Sequence, residues 1–303
     1  MASTVEAVSA VKVIPGPASR ELGARIAEVL GVEAVGMSYK VFPDGESYVR
    51  FDGSVEGETV AIIQSTYPPQ DKHLLELCLL ADTARDLGAR RVVAVVPYLA
   101  YARQDRRFMP GEAVSIRTVG RLLRASGVDK LITVDAHSDE ALRALGLEAV
   151  NISAVDLLAR YMVEEKGLGG AFALAPDRGA LSLAERASRT LGDGFGWLQK
   201  ERSRITGEVK VEEKALDVSG RTVIIFDDMI STGGTVIAAL DVLKKQGASR
   251  VYAACTHPLL VKDALKKILA SGCDGVVGTD SVPSPVSVVS VASLLARELR
   301  DEL

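Results

Sequence analysis

Long apolar runs are missing from this 303-residue chain. No stretch reaches the roughly 18 residues a membrane-spanning helix needs, and the opening MASTVEAVSA has neither the basic flank nor the apolar core of a signal peptide. The expectation is a cytoplasmic protein with no membrane partner. Cysteine is scarce too. Cys78, Cys255 and Cys273 are scattered, odd in number and without metal-ligand spacing, which points to buried thiols in a reducing compartment and away from a disulfide framework or thiolate metal site. Nor is positive charge in excess. The 36 Lys and Arg face 40 Asp and Glu, a formal net charge of −4, so there is no global attraction to nucleic acid. An anionic ligand must be held by local arginines, lysines, a cation or backbone donors.

What is present is ordinary globular sequence, 48% hydrophobic and 25% charged, long enough for two domains. Strand-like and helix-like segments alternate, which argues for an α/β protein with largely parallel sheets. An internal echo refines this. TVIIFDD, a helix, the corner Gly247-Ala248-Ser249-Arg250-Val251 and the strand VYAACTH repeat an earlier series: TVAIIQS, a helix, Gly88-Ala89-Arg90-Arg91-Val92 and VVAVVPY. Two domains of one βαβ-based plan follow, over residues 1–150 and 151–303. The terminal segment 290–303 reads as an amphipathic helix packing on the body, on the N-terminal domain or on a neighbouring subunit. The first ten or so residues are expected to be disordered.

The second copy carries the most chemistry. Residues 222–226 form a buried strand running into Asp227 and Asp228, and Ser231-Thr232-Gly233-Gly234-Thr235 then opens a helix. Glycines let successive N–H groups converge, hydroxyls add donors, and the helix dipole favours negative charge, so the loop suits a phosphate. The carboxylates beside it suit vicinal sugar hydroxyls or a cation. The loop is neither a P-loop nor a GxGxxG fingerprint. At the matching place the first copy has QSTYPPQDK, whose two prolines and missing glycine pair cannot build the same nest.

Other motifs lie at element ends. Phe42-Pro43-Asp44-Gly45-Glu46, between MSYKV and SYVRF, is a hairpin tip or a purine site with a stacking face and an acceptor. Tyr101-Ala102-Arg103-Gln104-Asp105-Arg106-Arg107 follows a buried strand, where ligands of open α/β sheets bind, and its arginines suit a polyphosphate. Asp135 and His137 close the strand LITV and, two apart, could share a cation. Asp177 in PDRG reads as a helix cap, and Lys200-Glu201-Arg202-Ser203-Arg204 as a charged hairpin.

Taken in order, these motifs resemble ribose-phosphate pyrophosphokinase, also called phosphoribosyl pyrophosphate synthetase, over essentially the whole chain. The resemblance implies two tandem phosphoribosyltransferase-like domains and transfer of a pyrophosphoryl group from ATP to ribose 5-phosphate. It places ribose 5-phosphate on Asp227, Asp228, Ser231, Thr232, Gly233, Gly234 and Thr235, and ATP on Phe42, Asp44, Gly45, Glu46, Arg103, Gln104 and Asp105. Mg2+ falls to His137 and Asp177 with Asp135 in support, and Lys200 and Arg202 become the catalytic pair. A homodimer or larger homo-oligomer is implied, with the ATP site shared between subunits. Phe108-Met109-Pro110-Gly111-Glu112 replaces a commoner Lys- and Ser-rich segment that is linked to effector response in some members, and Ser231 stands where many members carry Asp; the Ser231 change, with the short C-terminus, points to an archaeal-type branch. A true phosphoribosyltransferase would lack the ATP-side motifs. A regulatory paralogue would have lost Lys200, Arg202, His137 or Asp177.

Overall fold

The structure is a computed structural model that describes residues 11–202, 209–212 and 216–302, with the backbone alone described at 199–202 and 209–212. The chain's first ten residues, expected above to be disordered, lie outside the described residues.

The chain divides into two compact units: the described residues up to Ile152 together with those from Val291 onward, and Ser153–Ser290. The first unit runs β1 (Val11–Pro15), α1 (Arg20–Leu30), β2 (Met37–Val41), β3 (Ser47–Phe51), β4 (Thr59–Ile63), α2 (Gln70–Asp86), β5 (Arg91–Val96), α3 (Ser115–Ala125), β6 (Lys130–Val134), α4 (Asp139–Leu145) and β7 (Glu148–Ile152). Its parallel sheet has the order β1-β4-β5-β6-β7. Every residue of β4 and β6 is buried, as expected for apolar, β-branched runs covered on both faces. β2 and β3 pair antiparallel as a separate hairpin.

The second unit runs α5 (Val155–Glu164), β8 (Phe172–Ala175), α6 (Leu181–Leu191), β9 (Phe195–Trp197), β10 (Gln199–Arg202), β11 (Val209–Glu212), β12 (Thr222–Met229), α7 (Gly234–Lys245), β13 (Arg250–His257), α8 (Ala264–Ala270), β14 (Gly275–Thr279) and β15 (Ser287–Val289). Its parallel sheet has the order β15-β14-β13-β12-β8-β9, with apolar clusters on its two faces, and β10 and β11 form an antiparallel hairpin.

The internal echo is exact in hydrogen bonding at the corners. Thr59 pairs with Arg91 and Thr222 with Arg250. Gly57 N–H donates to Gly88 O and Gly220 N–H to Gly247 O, each at 2.8 Å. Asp129 accepts from Val92 N–H at 2.8 Å, as Asp274 does from Val251 N–H at 2.7 Å. Gly88 and Gly247 both have positive φ, which these tight corners require.

One element departs from a simple tandem. The final helix α9 (Ala292–Leu299), with a 3-10 turn at Arg300–Glu302, belongs to the first unit and packs on α1; residues 151–303 were expected to form one domain, with the N-terminal domain among the seats named for segment 290–303. Its counterpart α5 packs on α6 in the second unit. Each unit is therefore completed by the helix that follows the other's last strand. Glu302 fixes the end of the chain by accepting from Lys130 at 2.5 Å and pairing with Arg91 at 2.9 Å, nearly out of solvent.

Candidate active site

β12 runs farther than the apolar residues alone predict, carrying Asp227 and Asp228 as its last turn outward before Met229. Both aspartates are half-buried. Their Oδ1 atoms accept from the next residues' N–H groups, Asp228 at 3.0 Å and Met229 at 2.7 Å. Burial pushes the Asp227 carboxyl well above the usual range, and the charges of Asp228 and then Asp177 push it further. Asp177 stands at the end of β8, where its Oδ1 accepts from Gly179 N–H at 2.9 Å and caps a 3-10 turn, as PDRG suggests. The fold thus gathers three acidic groups whose mutual repulsion a cation or sugar hydroxyls would relieve. Among the described residues, no three His, Cys, Asp or Glu side chains form a ready metal-holding group.

The loop beyond is built for close approach. Gly233 has φ +80°, and a Cβ there would stand 2.9 Å from Ile268, so the fold itself requires glycine. Gly234 is different. A Cβ there would meet nothing nearer than the Thr232 hydroxyl at 3.9 Å. No side chain caps α7, whose first intrahelical bond is Ile237 N–H to Gly233 O at 2.9 Å. The Ser231 and Thr232 hydroxyls make no hydrogen bond among the described residues. In the first unit the positions matching Ser231 and Thr232 are Pro68 and Pro69, which carry no hydroxyl, while Ser65 and Thr66 match Asp228 and Met229: Ser65 Oγ accepts from Tyr98 N–H at 3.0 Å, and Thr66 Oγ1 donates to Tyr98 O at 2.8 Å.

In the first unit, Phe42, Asp44, Gly45 and Glu46 occupy the exposed tip of the β2–β3 hairpin. Gly45 N–H donates to Phe42 O at 2.9 Å, Gly45 has φ +99°, and Glu46 N–H donates to Asp44 Oδ1 at 3.2 Å. Lys40 Nζ lies 4.5 Å from the centroid of the Phe42 ring. The hairpin is pinned by Glu76, a buried carboxylate on α2 that accepts from Tyr39 and Ser47, both at 2.8 Å, from Gln64 at 3.2 Å, and from Lys72. Burial alone would raise the Glu76 carboxyl, but the hydrogen bonds from Lys72, Ser47 and Tyr39 outweigh it and hold it below the ordinary value.

Arg103 is exposed, while Gln104 and Asp105 are half-buried. Asp105 accepts from Ser138 Oγ at 2.7 Å, which ties this loop to the residue after His137. The departing segment after it is organised by Glu112, whose carboxylate accepts from Phe108 N–H at 2.7 Å and Met109 N–H at 2.9 Å. Asp135 and His137 lie beyond the strand that was expected to align them. β6 ends at Val134, Asp135 is buried at φ +37°, and His137 is exposed. The side chains of Lys200 and Arg202 lie outside the described residues; their backbone forms β10, hydrogen-bonded to β11.

Known proteins match this architecture along nearly its full length. Residues 11–127 match the N-terminal domain of ribose phosphate pyrophosphokinase, and residues 153–290 the phosphoribosyl transferase domain. The ribose-phosphate pyrophosphokinase of Methanopyrus kandleri is 43% identical over 282 residues, 93% of this chain and 96% of that one. That of Sulfurisphaera tokodaii is 39% identical over 291 residues, 95% and 99% of the two chains. The chain belongs to the ribose-phosphate pyrophosphokinase family. The crystal structure of phosphoribosylpyrophosphate synthetase from Mycobacterium smegmatis superposes with a TM-score of 0.86 at 31% identity, covering 96% of this chain and 98% of that one. Members of the ribose-phosphate pyrophosphokinase family use a metal ion. No described helix is long and apolar enough to cross a membrane.

Sequence reasoning missed the support beneath the pyrophosphokinase motifs. Glu76 was hidden inside the apolar run HLLELCLL, where a lone acid on a helix's inward face is the available signal. His257 was missed as well. It is buried beside Met229 in the strand register, with Nδ1 2.9 Å from Ser281 Oγ, and its carbonyl accepts from Ile230 N–H at 3.1 Å just before residues 231–235.

Proposed function

We propose that the chain transfers the β,γ-pyrophosphoryl group of ATP to the anomeric hydroxyl of ribose 5-phosphate, giving 5-phosphoribosyl 1-pyrophosphate and AMP for nucleotide biosynthesis in the cytoplasm. The C1 hydroxyl oxygen bonds to the β-phosphorus, the bond from that phosphorus to the α–β bridging oxygen breaks, the bridging oxygen leaves with AMP, and the hydroxyl proton is given up. The observation that carries this is the outward-facing glycine loop and uncapped α7 beside Asp227 and Asp228. A phosphate on residues 231–235 sets the sugar so that its 2- and 3-hydroxyls reach the carboxylates. Phosphoryl transfer needs positioning and charge neutralisation more than covalent chemistry.

Phe42, Asp44, Gly45 and Glu46 receive the adenosine, and their exposed position at a hairpin tip suits a loop offered to a neighbouring subunit's ATP in a homodimer or larger assembly. Arg103, Gln104 and Asp105 line the polyphosphate side. The resident cation is Mg2+, whose preference for hard oxygen donors suits the Asp177 carboxylate, which lies close enough to Asp227 for its charge to be felt there; in the first unit His137 is the ligand carried over from the family motif, with Asp135 in support. When bound it supplies charge neutralisation of the phosphates. Lys200 and Arg202 stabilise negative charge on the breaking bridge.

Phosphorus NMR of the protein with ribose 5-phosphate, ATP and magnesium tests the reaction. AMP appearing together with a sugar-linked diphosphate is the expected result; ADP, or no turnover despite ATP binding, overturns it. Lys200→Ala is expected to lower turnover by roughly a hundredfold or more with little change in ATP binding, since one such donor contributes on that order. Equal loss of both would remove Lys200 from the transition state.

A further inference from the structure

The groove between α3 and α4 carries a cluster that the reaction leaves unexplained. α3 has the sequence SIRTVGRLLRA, without a single acid, and Arg117, Arg121 and Arg124 follow at i, i+4 and i+7 on one stripe. They edge a cavity of about 220 Å³ floored by Gly120, Ala144 and Leu145. The backbones touch here, because a Cβ on Gly120 would fall 1.7 Å from Leu145 O. That contact fixes the end of α4 against the arginine stripe and holds the groove open beside it.

The three guanidinium groups are exposed and engage no carboxylate among the described residues. Other arginines of the same unit are paired: Arg85 with Asp129, Arg91 with Glu302, Arg143 with Glu140 and Arg50 with Asp52. Like charges at these helical spacings repel, and they do so next to a groove large enough for a small ligand. Arg124 in the last turn complements the α3 dipole, but Arg117 lies in the first turn, where a cation is disfavoured. Helix stability does not explain the stripe.

We propose that the α3–α4 groove binds a phosphoryl oxyanion, held by Arg117, Arg121 and Arg124 and separate from the substrate-binding motifs. Guanidinium forks pair with phosphate oxygens bidentately, and three arginines lining one opening suit an anion with oxygens on several sides. Free phosphate and the phosphate of a nucleotide share this chemistry.

The test is arginine footprinting of the full chain with a dicarbonyl reagent, read by mass spectrometry, with inorganic phosphate or AMP in parallel at equal ionic strength. Protection of Arg117, Arg121 and Arg124 by roughly tenfold is expected. Protection by phosphate alone assigns the free anion, and protection by AMP alone assigns the nucleotide. Equal protection by chloride, or none by either ligand, overturns the site. The triple variant R117Q/R121Q/R124Q is expected to lose one class of phosphate binding in calorimetry while turnover at saturating substrate stays within about twofold. Since all three side chains are exposed, folding should be intact, and circular dichroism checks it. The corresponding triple lysine variant should retain weakened binding. Unchanged phosphate binding in the glutamine variant with an altered oligomeric state would overturn the proposal and identify the stripe as a subunit contact.

Discussion

Gly233 and Gly234 are neighbours with opposite obligations. The first is demanded by the fold, through a left-handed φ and the nearness of Ile268; the second has open space where a side chain would go. Gly233→Ala should therefore destabilise the protein by about 1–3 kcal/mol. Gly234→Ala should be neutral or stabilising by up to about 1 kcal/mol, yet weaken ribose 5-phosphate binding roughly tenfold or more. Urea denaturation and sugar-phosphate titration separate the two, and equal effects on stability would refute the distinction. Asp227 shows the same division. Its carboxyl is raised by burial and by Asp228, so its ionised form costs stability that is fully recovered only below the unfolded value. Asp227→Asn is expected to raise the Tm of the ligand-free protein by a few degrees while sharply reducing turnover, measured by calorimetry and AMP release. Glu76 runs the other way. Its folded value is lowered, so its contribution is present above the unfolded carboxyl value of about 4.3 and is lost as pH falls through the folded one. Glu76→Gln should flatten that acid-side loss and raise the KM for ATP more than it lowers kcat, because the substitution loosens the hairpin and leaves the sugar loop alone.

Among the elements, α9 has the clearest consequence. It covers α1, and the turn behind it brings Glu302 to Lys130, which is itself buried. Ending the chain after Ser290 would uncover an apolar helix face on α1 and leave Lys130 with Glu148, 3.7 Å away, in place of Glu302, destabilising the first unit. Hydrogen exchange should show β1, α1 and β6 losing protection while β12 and β13 keep theirs. Uniform loss across both sheets would mean the helix supports the whole chain. The sequence announced this helix through its amphipathic pattern and left its seat open among the body, the N-terminal domain and a neighbouring subunit, since periodicity says which face is buried and not what buries it.

For the whole molecule, the duplication was legible because its carriers are local: the two GAxRV corners have their glycines and arginines in one register. The family motifs were legible for the same reason, each being a short run at an element end. What stayed hidden depended on distant partners. Glu76 gathers donors from Tyr39, Ser47 and Gln64, and Asp135 is buried at a positive φ just past the end of β6. No spacing rule contains either fact. The exchanged helices also impose an order of events on synthesis. The strands of the first unit are made early, but 138 residues, Ser153–Ser290, separate Ile152 from the segment that finishes it. At ribosomal speeds of about 5–20 residues per second, α1 waits on the order of ten seconds with an uncovered face. During that interval the nascent chain holds an open hydrophobic seat on α1, which a chaperone or another copy's α9 can occupy before its own arrives.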